Sequence, residues 1–149
     1  MASTCEKQIG YVIFDSVCLF LGAVELRAAL TAEGAEAMAE AARPVLSKME
    51  QYILTISKKE SSTTEVATAV FNIMSTIWSG GCLGAVVSAW LSTLSIGNAI
   101  LYGATALGTL LAAFATDGAA TIGLIIVELA TCAWLVEDSV KCVEECSYA

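Results

Sequence analysis

The chain has 149 residues, enough for one domain, with 57% apolar and 15% charged side chains, against roughly 45–50% and 25% in typical soluble domains. A net charge of −8 and only seven Lys and Arg exclude the clustered basic surface that nucleic acid requires and give no electrostatic attraction to anionic lipid. Histidine is absent, which removes the Ser–His–Asp triad, the Cys–His pair, most zinc sites and the usual haem ligand.

One proline and abundant Ala and Leu favour helices throughout. The sequence predicts an all-α helical bundle of four or five helices in a single domain, 1–149. Residues 1–65 form its more polar, amphipathic part, 66–137 an apolar part, and 138–149 a charged helix end. The first helix is expected from Ser3, which has capping-box spacing to Glu6, to about Leu30. Its apolar run is long enough to cross a bilayer, although it carries Asp15 and Glu25. It is a poor secretory signal, because Glu6 offsets Lys7 and Asp15 interrupts the apolar stretch.

Thr31 is expected to cap a second helix whose Met38, Ala42, Val45, Met49, Ile53 and Ile56 recur at three- and four-residue steps, making one apolar face. Pro44 removes a backbone donor and should kink or split it. The polar stretch around Lys58–Glu65 reads as a linker. Ser62 and Glu65 again have capping-box spacing, opening a third helix to about Leu94 with a weak point at Gly80–Gly81. A fourth is expected from Asn98 to Ala115. Residues 116–119 read as a turn, and a last helix follows that is apolar to Val136 and charged beyond it.

From Val66 through Thr116 no side chain carries a formal charge. A helix apolar on every side is buried or in lipid. On the third helix Gly80, Gly84, Ser88 and Ser92 recur every four residues, and Ala104, Gly108 and Ala112 do so on the fourth. Small residues at this spacing let helix backbones approach closely, a common packing device in lipid. The sequence therefore points to a small α-helical membrane protein, a structural or pore-type subunit packed through small-residue faces. Its partners would be membrane lipid and further copies or a larger membrane complex.

Two alternatives stand beside it. One is a soluble acidic protein, secreted or cytoplasmic, that inserts the uncharged hairpin into membranes. With the hairpin stored at the centre of wrapping helices, that arrangement resembles pore-forming colicin domains in organisation alone. The other is a soluble helical oligomer or lipid-binding protein.

No Gly-rich phosphate loop occurs, and we expect no enzyme activity, cofactor or metal. Glu128 sits mid-helix in an apolar run, where an intramembrane carboxylate marks an ion path or a buried polar contact, such as a pair with Arg27. Asp15 and Glu25 are weighed in the same way. If the first helix spans, the basic residues of 31–65 place that segment on the cytoplasmic side. Cys5, Cys142 and Cys146 then share the opposite side, where a disulfide from Cys5 to Cys142 or Cys146 can persist. Trp90 and Trp134, near the ends of apolar runs, are placed as interfacial anchors together with Tyr11 and Tyr102.

Overall fold

A computed structural model describes residues 4–115, 118–130 and 132–148, and every regular element among them is helical. Helix α1 (Thr4–Leu21) leads through a 3₁₀ segment (Val24–Ala29) to α2 (Ala32–Ala41), a second 3₁₀ segment (Arg43–Lys48) and α3 (Glu50–Ser57). There follow α4 (Thr63–Ser79), α5 (Leu83–Ser92), α6 (Ile96–Gly103), α7 (Ala106–Phe114), α8 (Ala119–Leu129) and α9 (Trp134–Cys146). The all-α class holds. The count of four or five helices does not, because each long predicted helix is cut.

The cuts have local causes. At the end of α1, Gly22 adopts φ 68°, and the Ala23 and Gly22 N–H groups donate to the Cys18 and Leu19 carbonyls at 2.8 and 3.3 Å. This is the paired closure of a Schellman motif, which needs a residue with positive φ and so favours glycine. The same device ends α4: Gly81 has φ 77°, and Cys82 N–H reaches Ile77 O at 3.0 Å. The chain then turns by 112° into α5. Pro44 opens the second 3₁₀ segment and divides α2 from α3. The starts follow the sequence more closely. Thr31 Oγ1 accepts from Gly34 N–H at 3.1 Å, and Ser62 with Glu65 forms a complete capping box at 3.1 and 2.9 Å. Ser3 and the first half of the turn predicted at 116–119 (Thr116 and Asp117) lie outside the described residues.

Helix α1 is the hub. Val12, Ile13, Phe14 and Val17 are fully buried, and α2 and α9 pack along it, with α4, α7 and α8 also in contact. The first helix therefore belongs to the protein's own core. Gly10 allows the close crossing of α1 and α2, since a Cβ there would overlap the Ala35 carbonyl. Around this hub α3 packs on α9 and α4, α4 on α8, and α2 on α5.

No single helix among the described residues is long and apolar enough to cross a membrane. That corrects the expectation of full-length embedded spans. At the centre of the bundle lies α1, with α4 and α5 of the uncharged stretch packed into the same core. Three bent helix pairs do reach spanning length and composition together, and the least bent is α6 with α7, at 42°.

Candidate functional site

The uncharged segment divides into two kinds of surface. Helices α4 and α5 turn Val70, Ile73, Met74, Val86 and Trp90 into the core. Helix α6 has no buried residue, and α7 and α8 have few. Ile96, Ile100 and Leu101 on α6 and Leu124 and Val127 on α8 are 64–82% exposed. On α7, Leu107 and Leu111 are exposed to a lesser degree, at 40% and 43%. Single exposed apolar residues are ordinary in soluble proteins, but large apolar side chains gathered on successive helices mark an interaction surface. With no charge between Val66 and Thr116, the α6–α7 arm presents no ionic group to whatever covers it.

The arm is held to the core by aromatic rings. Phe114 at the end of α7 packs on Phe20 at a centroid distance of 5.3 Å and stacks on Trp78 at 5.0 Å. Phe71 completes the group, 5.9 Å from Phe114. Tyr102 of α6 meets Trp90 edge-on at 5.6 Å. Trp90 is fully buried, so its expected place as an interfacial anchor is corrected: it is a core residue.

Two of the charged groups inside apolar runs meet in an ion cluster. Arg27, from the 3₁₀ segment after α1, places Nε 2.8 Å from Asp15 Oδ1 and donates from Nη2 to Asp138 Oδ2 at 2.9 Å. Tyr11 and Trp134 lie against the guanidinium at 5.5 and 5.9 Å, within cation–π range. Asp15 is wholly buried on α1. The Nε contact lacks hydrogen-bond alignment. Burial holds its carboxyl well above the ordinary range, and hydrogen bonding and charge from Asp138 add to this while Arg27 opposes it. One guanidinium faces two carboxyls here, so the charged form of Asp15 is disfavoured.

This cluster changes the reading of the candidate carboxylates. Asp15 is paired within the bundle, Glu25 is exposed, and Glu128 is half-buried on α8. Arg27 goes to Asp15 and Asp138 in place of the expected pair with Glu128. Asp138 was missed because it sits in a charged helix end that reads as solvated. Its signal was a lone Arg27 in an otherwise apolar stretch that needed a partner.

Of the small-residue stripe, Gly80, Gly84, Ser88 and Ser92 are exposed on α4 and α5, as are Ala104, Gly108 and Ala112 on the arm. A Cβ at Gly84 or Gly108 would meet nothing within 4 Å, whereas one at Gly80 would strike Val45. Gly80 thus packs closely on the second 3₁₀ segment, while Gly84 and Gly108 make no such contact within the chain. The sulfur atoms do gather: Cys5 is bonded to Cys146, joining α1 to α9, and the Cys142 thiol lies 3.8 Å from Cys146 Sγ. Burial pushes the Cys142 thiol up to about 12, with Asp138 adding to the shift. Among the described residues no group of three or more His, Cys, Asp or Glu is arranged to hold a metal ion.

No family model matches the chain, and no curated protein or solved structure is similar to it.

Proposed function

We propose that the protein is a non-enzymatic helical protein of membranes, which enters lipid through its uncharged α6–α7 arm while the α1-centred bundle stays folded outside the apolar phase. The observation that carries this reading is the exposure of Ile96, Ile100 and Leu101 on a stretch of chain with no charge from Val66 to Thr116. Water penalises that surface, at about 25 cal/mol per Å² of apolar area. Lipid does not, and there is no ionic group on the α6–α7 arm to hold it back. The pair α6 and α7 reaches the length and composition of a span and needs only a 42° bend to be removed.

The test is flotation of the folded chain with neutral phosphatidylcholine vesicles. An Asp at the centre of a membrane helix costs about 2.5–3.5 kcal/mol, so Ile100→Asp should lower vesicle partitioning by about a hundredfold. Because Ile100 is exposed, its helical content should not change. Equal flotation of wild type and variant contradicts the proposal.

A second reading is favoured by the open space around Gly84 and Gly108. Copies of the chain would associate through these faces, giving a structural or pore-type assembly in the membrane. Gly84→Leu and Ser88→Leu should then abolish assembly in lipid without reducing helical content. Unchanged oligomeric state in both variants contradicts it.

A further inference from the structure

Away from the arm, a cavity of about 520 Å³ opens between the C-terminal end of α3, the start of α4, the end of α8 and the start of α9. That volume falls within the range of roughly 300–1,000 Å³ typical of small-molecule sites. Its walls are apolar: Ile56, Val66, Ile126, Leu129 and Cys132. Ile56 is fully buried, and Val66 and Cys132 nearly so, so the lining is fixed by the core behind it.

Its rim has the opposite character. Lys58, Lys59 and Ser61 line one edge, in a turn held by Ser61 N–H donating to Lys58 O at 3.2 Å and Ser61 Oγ donating to Thr55 O at 2.6 Å. Neither lysine is ion-paired with a described residue; the ion pairs among the described residues belong to Arg27 and Arg43. Glu60, between Lys59 and Ser61, does not line the cavity. In a chain of net charge −8 with seven basic residues, two adjacent unpaired ammonium groups stand at the mouth of an apolar recess.

An apolar recess with a cationic rim is complementary to a molecule with an aliphatic body and one anionic end. A neutral lipid would leave the lysines unused, and a small polar anion would leave the walls wet. We propose that this cavity binds a single-chain anionic amphiphile, a fatty-acid carboxylate by chemical class, with the chain against Val66, Ile126 and Leu129 and the carboxylate at Lys58 and Lys59. The site is separate from the α6–α7 arm and does not rest on the arm's entering lipid.

Titration of the full chain with monomeric laurate and with dodecanol, followed by calorimetry, tests this. Laurate should bind saturably at one site and more tightly than the alcohol. Each methylene added to the acid should strengthen binding about fourfold. Replacing both lysines (K58A with K59A) should weaken laurate binding about threefold to tenfold, as expected for exposed charge pairs, and leave dodecanol unchanged. Val66→Trp, or Leu129→Trp if the first variant loses its helical content, should fill the recess and abolish binding of both. Vesicles of phosphatidylcholine free of fatty acid should not compete for the site, which separates a free amphiphile from bilayer lipid. Ile100→Asp should bind laurate as wild type does even where vesicle flotation is lost, so the two readings fail separately. Absence of saturable binding, equal affinity for acid and alcohol, or indifference to the lysine and cavity-filling substitutions overturns the proposal.

Discussion

Arg27→Met removes the one cation between two carboxyls that the fold has taken from water. Asp15 is wholly buried and the Asp138 side chain is 9% exposed, while Arg27 itself is 23% exposed. Breaking a buried ion pair from one side costs about 3–5 kcal/mol, because the remaining charge is left without compensation. Partial solvent access to Arg27 places this site at the lower end, about 3 kcal/mol. For a chain of this size each kcal/mol moves the thermal midpoint by about 2–4 °C, so the midpoint should fall by about 6–12 °C in a circular-dichroism melt. Asp15→Asn should cost far less, since it removes a buried carboxyl and leaves the Arg27–Asp138 bond in place. The pH dependence carries a definite sign. The Asp15 pKa is raised in the fold above its ordinary 3.8, so its contribution is complete below that value and is lost as pH rises through the folded value. The midpoint of Asp15→Asn minus that of wild type should therefore increase as pH rises above 3.8 and level off once pH exceeds the folded value. An Arg27→Met midpoint within 2 °C (roughly 1 kcal/mol) of wild type would refute the claim that this cluster ties α9 to α1.

Gly10→Ala should lower stability by about 1–3 kcal/mol, because its Cβ overlaps the Ala35 backbone carbonyl. Gly84→Ala, in open space on α5, should raise stability by up to about 1 kcal/mol through helix propensity; a loss there would reveal a contact with another chain. Alkylation of the native protein at neutral pH should spare Cys18 and Cys142, both buried and both pushed up to about 12. Mass spectrometry of the non-reduced protein should find Cys5 bonded to Cys146; a free Cys5 would contradict the join between α1 and α9.

The sequence carries the all-α class and the helix starts at Thr31 and Ser62, because propensity and capping are local. It does not carry the stops as clearly. Gly22 and Gly81 act through positive φ and a bond back to the preceding turn, and the same residue type at Gly84 sits inside a helix. The larger miss concerns which apolar helix is buried. Composition ranks the uncharged run above α1, which bears Asp15. The fold reverses them because Arg27 lies against that carboxyl and bonds Asp138 from the far end of the chain. Such pairing spans a long sequence separation and leaves no periodic trace. The exposed arm was legible as uncharged but not as outermost, since a helix apolar on every side reads the same in a core and in lipid.

The central claim is that the α6–α7 arm enters lipid while the bundle does not. An environment-sensitive fluorophore attached at Ile100→Cys on α6, and separately at the exposed Lys48→Cys of the second 3₁₀ segment, measures this directly, since Cys18, Cys82, Cys132 and Cys142 are buried. On addition of excess phosphatidylcholine vesicles, the probe at 100 should shift to the blue and be quenched by a quencher placed in the acyl chains. The probe at 48 should keep its aqueous emission. Aqueous emission from both positions at saturating lipid would contradict the account.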